Sequence, residues 1–287
     1  MRPDVTPFFD EATNSYSYLV RDPASHAAAI IDPVLNFDPA AARISHEGAD
    51  AIAEMVEAKG LEVQYLLETH VHADHLTASA YLQARLGGHI GIGDQVPVVQ
   101  RQFAHLFNLG PDVPLDGSQF DCLFHDGERF ALGSLEVKVL HSPGHTPACA
   151  CYLIGDALFV GDTLFMPDYG TARCDFPGGD AATLYDSIHR LYALPGQTRI
   201  FLCHDYKAPG RDHFDCRTSI EDQRQHNVHI HQGVDKAAFV GMREARDQTL
   251  AVPRLLLPAV QFNLNAGHLP AAEANGVHYL KLPLDQL

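Results

Sequence analysis

The segment Thr69-His70-Val71-His72-Ala73-Asp74-His75 packs imidazoles and a carboxylate into one short stretch. Neutral imidazole and carboxylate are the common ligands of borderline divalent metals. Spacing this tight lets some of the side chains point one way and some another. The plain alternative is a polar turn capped by Asp74, and for a lone histidine it would be preferred. A cluster of this density favours a metal. Three more positions carry ligand-type side chains: His145 in Ser142-Pro143-Gly144-His145-Thr146-Pro147, Asp162 in Val160-Gly161-Asp162-Thr163, and His204 in Cys203-His204-Asp205-Tyr206.

Each of these positions follows an apolar run of strand length. Val63 to Leu67 precedes the histidine cluster, Leu135 to Leu140 precedes His145, Ala157 to Val160 precedes Asp162, and Arg199 to Leu202 precedes His204. Sites in α/β folds collect at the carboxyl ends of strands. Further strands are expected at Ser15 to Val20, Ala27 to Ile31 and Ala148 to Ile154. Ala51 to Lys59 reads as a helix closed by Gly60. A second helix is expected from near Asp74 to Gly87-Gly88, and a third after the N-cap Asp180, stopped by Pro195-Gly196. Thr218 with Glu221 forms a capping-box signature, and Lys236 to Leu250 reads as another helix. No internal repeat, low-complexity tract or linker interrupts this order. The expectation is one α/β domain over 1–287, with a core over about 10–210 and a C-terminal extension over about 211–287.

The chain has 287 residues, a length that buries a sizeable core. Twenty Lys and Arg against 36 Asp and Glu give a formal charge of −16. That balance argues against nucleic acid or an anionic membrane surface as partner. A mean hydropathy of −0.10, with no apolar run near ~20 residues, argues against a membrane span. The N-terminus lacks the basic-then-apolar pattern of a signal peptide. Six cysteines without a C-x-x-C pair are too few for a disulfide scaffold. A cytoplasmic location is the simplest expectation.

H-x-H-x-D-H, then S-P-G-H-T, then G-D-T-L-F, then H-D-Y, in this order, resembles the metallo-β-lactamase superfamily. The resemblance implies an αββα sandwich with a metal site at one edge of the two sheets. In the two-metal pattern of that superfamily, His70, His72 and His145 form one site. Asp74, His75 and His204 form the other, with Asp162 bridging. Within the superfamily the chain is most similar to the glutathione-linked branch, and there to persulfide dioxygenases more than to glyoxalase II hydrolases. Arg173-Cys174-Asp175-Phe176, His204-Asp205-Tyr206 and the tail pattern Glu221, Arg224, Asn227 carry that preference.

The dioxygenase resemblance implies one Fe(II) per chain on His70, His145 and Asp162. Such a set leaves positions open for a substrate sulfur and O2. Glutathione persulfide, O2 and water would give glutathione and sulfite. His72, Asp74, His75 and His204 would then surround the site or mark a second, vacant metal position. Arg173 matches the arginine that contacts glutathione, its alternative being a surface salt bridge. Tyr206 would stand at the pocket wall, its alternative being a buried tyrosine with a satisfied hydroxyl. Cys174 departs from the threonine of many relatives and reads as a packed, inert thiol. A homodimer is common among the proteins resembled.

Other features carry less. Cys149 and Cys151 share a strand face and read as small core hydrophobes. His226, His229 and His231 read as a polar helix end and loop, and nothing marks His141 as a ligand. The competing function is a dinuclear zinc hydrolase of a glutathione thioester, in which metals lower the pKa of an attacking water. A nuclease is disfavoured by the charge, and a non-catalytic protein by the complete ligand set.

Overall fold

Period-two alternation in the strands decides the layering. The structure, a computed structural model, describes residues 2–110 and 113–286. One sheet runs in the order β1 (Asp4–Asp10), β2 (Ser15–Arg21), β3 (Ala27–Ile31), β6 (Glu62–Leu67), β8 (His89–Gly93), β9 (Cys122–Phe124). It is antiparallel at its start and parallel from β3 onward. The other runs from β10 (Arg129–Leu132) through β11 (Leu135–His141), β12 (Ala150–Ile154), β13 (Ala157–Phe159) and β14 (Arg199–Phe201) to β15 (Arg217–Ser219). A small third sheet joins β5 (Arg43–Ser45), β4 (Val34–Asp38) and β7 (Leu76–Thr77).

Alternate residues of one strand face different cores, as strand geometry requires. Ala27, Ala29 and Ile31 of β3 join Tyr152, Ala157 and Phe159 in a core between the sheets. Ala28 and Ile30, on the other face of β3, pack against helices instead. In the second sheet Cys151, Leu158 and Ile200 likewise face outward onto helices. α1 (Glu47–Ala58), α2 (Ser79–Leu86), α3 (Val96–Leu106) and α7 (Leu256–Asn263) contribute to the core outside the first sheet. α4 (Ala181–Tyr192), α5 (Ile220–His226) and α6 (Lys236–Asp247) contribute to the core outside the second. The result is the expected αββα sandwich with a helical C-terminal extension. That extension begins by adding β15 to the second sheet, then splits its helices between both outer faces.

Local signals place most elements. Gly60 takes φ +59° just past α1, a left-handed closure that glycine accepts without strain. The Asp180 side chain accepts from the Thr183 amide and starts α4 as expected. Two expectations shift. α2 begins at Ser79, not near Asp74, because Leu76 and Thr77 pair with β4 before the helix starts. α5 is capped by Ser219, which accepts from the Asp222 amide, while Thr218 donates to the Asp222 carboxylate.

Candidate metal centre

The ligand-type residues meet where the two sheets are stitched together. Thr69, just after β6 of the first sheet, accepts at its carbonyl from Ala150 of β12 at 2.8 Å. Tyr16 of β2 donates from its amide to the Cys203 carbonyl at 2.7 Å, and Ser15 forms a β-bridge with His204. These links hold the loops after β6, β11, β13 and β14 at one edge of the sandwich. That edge therefore gathers His70 to His75, His145, Asp162 and His204.

Each of the five histidines is fixed through one ring nitrogen. His70 Nδ1 lies 3.0 Å from Thr69 Oγ1, and His75 Nδ1 is 3.1 Å from the Leu76 carbonyl. His145 Nδ1 is 2.7 Å from the Arg173 carbonyl. His204 Nδ1 is 3.1 Å from Ser15 Oγ. His72 is held by the opposite nitrogen, Nε2, 3.0 Å from Asp32 Oδ1. The other nitrogens of His70, His72, His75 and His204 are buried and make no hydrogen bond among the described residues, and the same holds for Asp74 Oδ2 and Asp162 Oδ1. Buried polar atoms without partners are costly and rare, so this concentration needs an explanation. A cation held by those atoms supplies one, and the donor set of imidazole and carboxylate suits a divalent transition metal.

The ligand atoms of His70, His145 and Asp162 all lie within 4.8 Å of one another, and so do those of His72, His75, Cys203 and His204. Asp162 stands between the groups. Its Oδ2 is 3.6 Å from His145 Nε2 and 4.0 Å from His70 Nε2. Its Oδ1 is 3.1 Å from His204 Nε2, which also lies 3.2 Å from Asp74 Oδ2.

The electrostatics follow from burial and neighbours. Burial, with His72 beside it, holds His70 well below the ordinary imidazole range and so neutral. Burial opposes a charge on His72 too, but the Asp32 carboxylate outweighs it and lifts that imidazole well above its usual range. Burial would raise Asp162, yet His204, His70 and His145 pull its carboxyl far below the usual range.

Three supporting residues escape a reading of the motifs. Asp32, buried just after β3, accepts from the Thr69 amide at 2.7 Å, from Thr69 Oγ1 and from His72. It follows an apolar strand as the ligands do, and that signal was available. Glu68 accepts from the Thr77 and Ser79 hydroxyls and places Oε2 3.4 Å from His72. Asn263, at the end of α7, donates to the carbonyls of His72 and His75, both at 2.8 Å. Its Oδ1 accepts from the Thr77 amide at 2.8 Å.

A cleft opens over His145, Asp162 and Asp74, walled by Phe165, Tyr169, Phe176 and Tyr206 and reached by Arg173, Arg243 and Arg246. Tyr206 is 40% exposed, not buried, and its ring packs on Tyr169 and on His204. Arg173 grips Asp175 through Nε and Nη2, each at 2.6 Å, and donates from Nη1 to the Ala251 carbonyl. Cys174 is buried, and burial pushes its thiol far up, in keeping with an inert side chain. Burial also raises Cys149 to about 12 and Cys151 to about 11. His141 Nε2 bonds to the Phe124 carbonyl, away from the centre. Of the late cluster, His226 pairs with Asp222 and His231 bonds to the Gln232 carbonyl. His229 does more than line a loop, since its Nδ1 accepts from the amide of Thr171 in the cleft wall at 3.0 Å. Asn227 is buried and donates to the Gly170 carbonyl behind the same wall, whereas Glu221 pairs with Arg224.

The sequence profile of the metallo-beta-lactamase superfamily matches residues 10–204, a span that holds every candidate ligand. The chain belongs to this superfamily. Relatives divide between activities. A protein named a probable metallo-hydrolase, from Burkholderia pseudomallei, is 52% identical over 99% of this chain and 99% of its own length. The human mitochondrial persulfide dioxygenase ETHE1 is 32% identical over 77% of this chain and 74% of its own. Among solved structures, ETHE1 from Myxococcus xanthus superposes with a TM-score of 0.74 at 31% identity, covering 92% of this chain and 100% of that one. The chain is thus a superfamily enzyme with a metal-binding centre. No helix among the described residues is long and apolar enough to cross a membrane.

Proposed function

We propose that this protein is an iron-dependent persulfide dioxygenase that converts glutathione persulfide, O2 and water to glutathione and sulfite. The observation that carries the reading is the composition of the group beside the cleft. His70, His145 and Asp162 are two imidazoles and one carboxylate with ligand atoms within 4.8 Å of one another. That donor set is the one associated with non-haem Fe(II) enzymes that keep coordination positions open. The similarity to ETHE1 proteins in sequence and in structure points the same way.

His70, His145 and Asp162 would hold the iron, which when bound supplies a site where substrate sulfur and O2 meet. The protein's own residues do the rest. The Arg173 carbonyl fixes the ring of His145, and Thr69 fixes that of His70. Phe165, Tyr169 and Phe176 give the cleft aromatic walls. Tyr206 presents its phenol at the cleft, where it can donate to a substrate sulfur or oxygen. Buried histidines and Asp74 around the centre orient the ligands. The setting is cytoplasmic in this reading.

A second reading keeps its footing on a specific observation. His72, Asp74, His75 and His204 each carry a buried atom without a partner among the described residues, and His204 Nε2 lies 3.1 Å from Asp162 Oδ1, a set that a dinuclear zinc hydrolase of a glutathione thioester could use. The name of the Burkholderia relative agrees with it. The deciding experiment is oxygen uptake by Fe(II)-loaded protein given glutathione persulfide, with sulfite measured as product. Glutathione alone and zinc-loaded protein are the controls. Uptake matched by sulfite and requiring both iron and persulfide is expected. No uptake from fully iron-loaded protein, together with thioester hydrolysis by the zinc form, would replace the dioxygenase with the hydrolase.

A further inference from the structure

Three guanidinium groups reach the cleft, and they are not equivalent. Arg173 spends its Nε and Nη2 on Asp175 and its Nη1 on the Ala251 carbonyl. Arg243 is buried, with Nε at 2.9 Å and Nη2 at 2.6 Å from Asp247 Oδ1 and Nη1 at 3.0 Å from the Thr171 carbonyl. Each therefore has a carboxylate that cancels its charge and fixes its geometry. Arg246 has neither. It lines the cleft, is exposed, and its guanidinium makes no ion pair or hydrogen bond among the described residues. One turn after Arg243 on α6, it shares that residue's side of the helix. Its charge is felt at the cleft wall, since it helps to hold His229 neutral.

A free cation in the mouth of a cleft matters more in a chain with formal charge −16. The surrounding field repels an anionic ligand, so an uncompensated guanidinium becomes the local point of attraction. Its planar fork matches a carboxylate, through two parallel charge-assisted hydrogen bonds. We infer that Arg246 is the specificity-determining residue that binds a carboxylate of an anionic thiol substrate, while Arg173 is a structural strap across the cleft wall. This inference rests on the glutathione-linked reading above for its substrate class. It transfers the carboxylate contact expected of Arg173 to α6 in the C-terminal extension.

The test measures binding, not turnover. Isothermal titration of Fe(II)-loaded protein under anaerobic conditions compares glutathione with its diethyl ester, in which both carboxylates are blocked. Wild type is expected to prefer glutathione by about tenfold or more, the range of a charge-assisted pair. R246Q is expected to lose that preference by weakening glutathione binding alone, and R246K to restore part of it. Because Arg246 is exposed, the variants should melt with wild type, which checks folding. In turnover, R246Q should raise KM for glutathione persulfide with kcat little changed. Unchanged glutathione affinity in R246Q, or a wild type that does not distinguish the ester, would overturn the inference. Absent oxygen uptake with Arg246-dependent binding intact would overturn the dioxygenase reading and leave this one standing.

Discussion

His70, His145 and Asp162 on one side, and His72, His75 and His204 on the other, are held in different ways. In the first group His145 and Asp162 line the cleft, where a small molecule can reach them. A threonine hydroxyl fixes His70 and a main-chain carbonyl fixes His145. The second group is equally buried but does not line the cleft, and two of its members lie against carboxylates. His72 contacts Asp32 and Glu68, and His204 lies beside Asp74 and Asp162. Negative charge favours protonated imidazole and competes with a metal for the ring nitrogen. In the reading proposed above, the first group would bind the metal and present it to substrate at the cleft. The second group would position its neighbours.

The largest effect expected from breaking this contrast comes from Asp162. Asp162→Ala removes the carboxylate of the first group and the shared neighbour of His204, so if Asp162 holds the iron, iron content and oxygen uptake should fall to background together. Full activity with iron retained would remove Asp162 from the centre. His204→Ala should be milder, with iron retained and turnover down about tenfold to a hundredfold, as for residues that orient ligands. Loss of metal as complete as in Asp162→Ala would mean that the two groups act as one dinuclear site.

Asn263→Ala sharpens the contrast from outside the ligand set. It strands the carbonyls of His72 and His75 and the Thr77 amide, at a cost of roughly 2–3 kcal/mol. Denaturant titration should show that loss, and metal titration should show iron affinity weakened by about tenfold or more. An unchanged melting profile would show that α7 does not brace the loop. The smallest effect concerns His229. Burial, with Arg243 and Arg246 nearby, pulls its pKa down to about 4. The native ring stays neutral and accepts from Thr171, so between pH about 6.5 and 4 the unfolded chain binds a proton that the native state does not. This contribution is complete above that window and is lost as pH falls through it. Between pH 7.5 and 5 the loss should be roughly 1 kcal/mol after solvent screening, and His229→Gln should remove it. Equal pH slopes in the two proteins would exclude His229 as the source.

The candidate ligands were legible because each sits in a short motif at the end of an apolar strand, and strand-end placement is a local property. The αββα layering was legible through alternation and through the motif order. Asp180 as a helix cap was legible because a cap bonds three residues away. The start of α2 was not, because Leu76 and Thr77 answer to β4 and not to their neighbours in sequence. Asn263 was missed for the same reason, acting on His72 from 191 residues away; Asp32 carried the strand-end signal, but its partner His72, 40 residues on, emerges only in the fold. No window of sequence contains both partners.

The sequence by itself therefore determined the family, the metal-binding chemistry and the residues able to supply it, because types and short spacings suffice for those. Only the tertiary structure decided the grouping. It set His72 on Asp32, joined His70 to Asp162 across the seam of the sheets, and left Arg246 in the cleft without an ion pair among the described residues. Those outcomes depend on which distant carboxylate or carbonyl each side chain meets when the two sheets close.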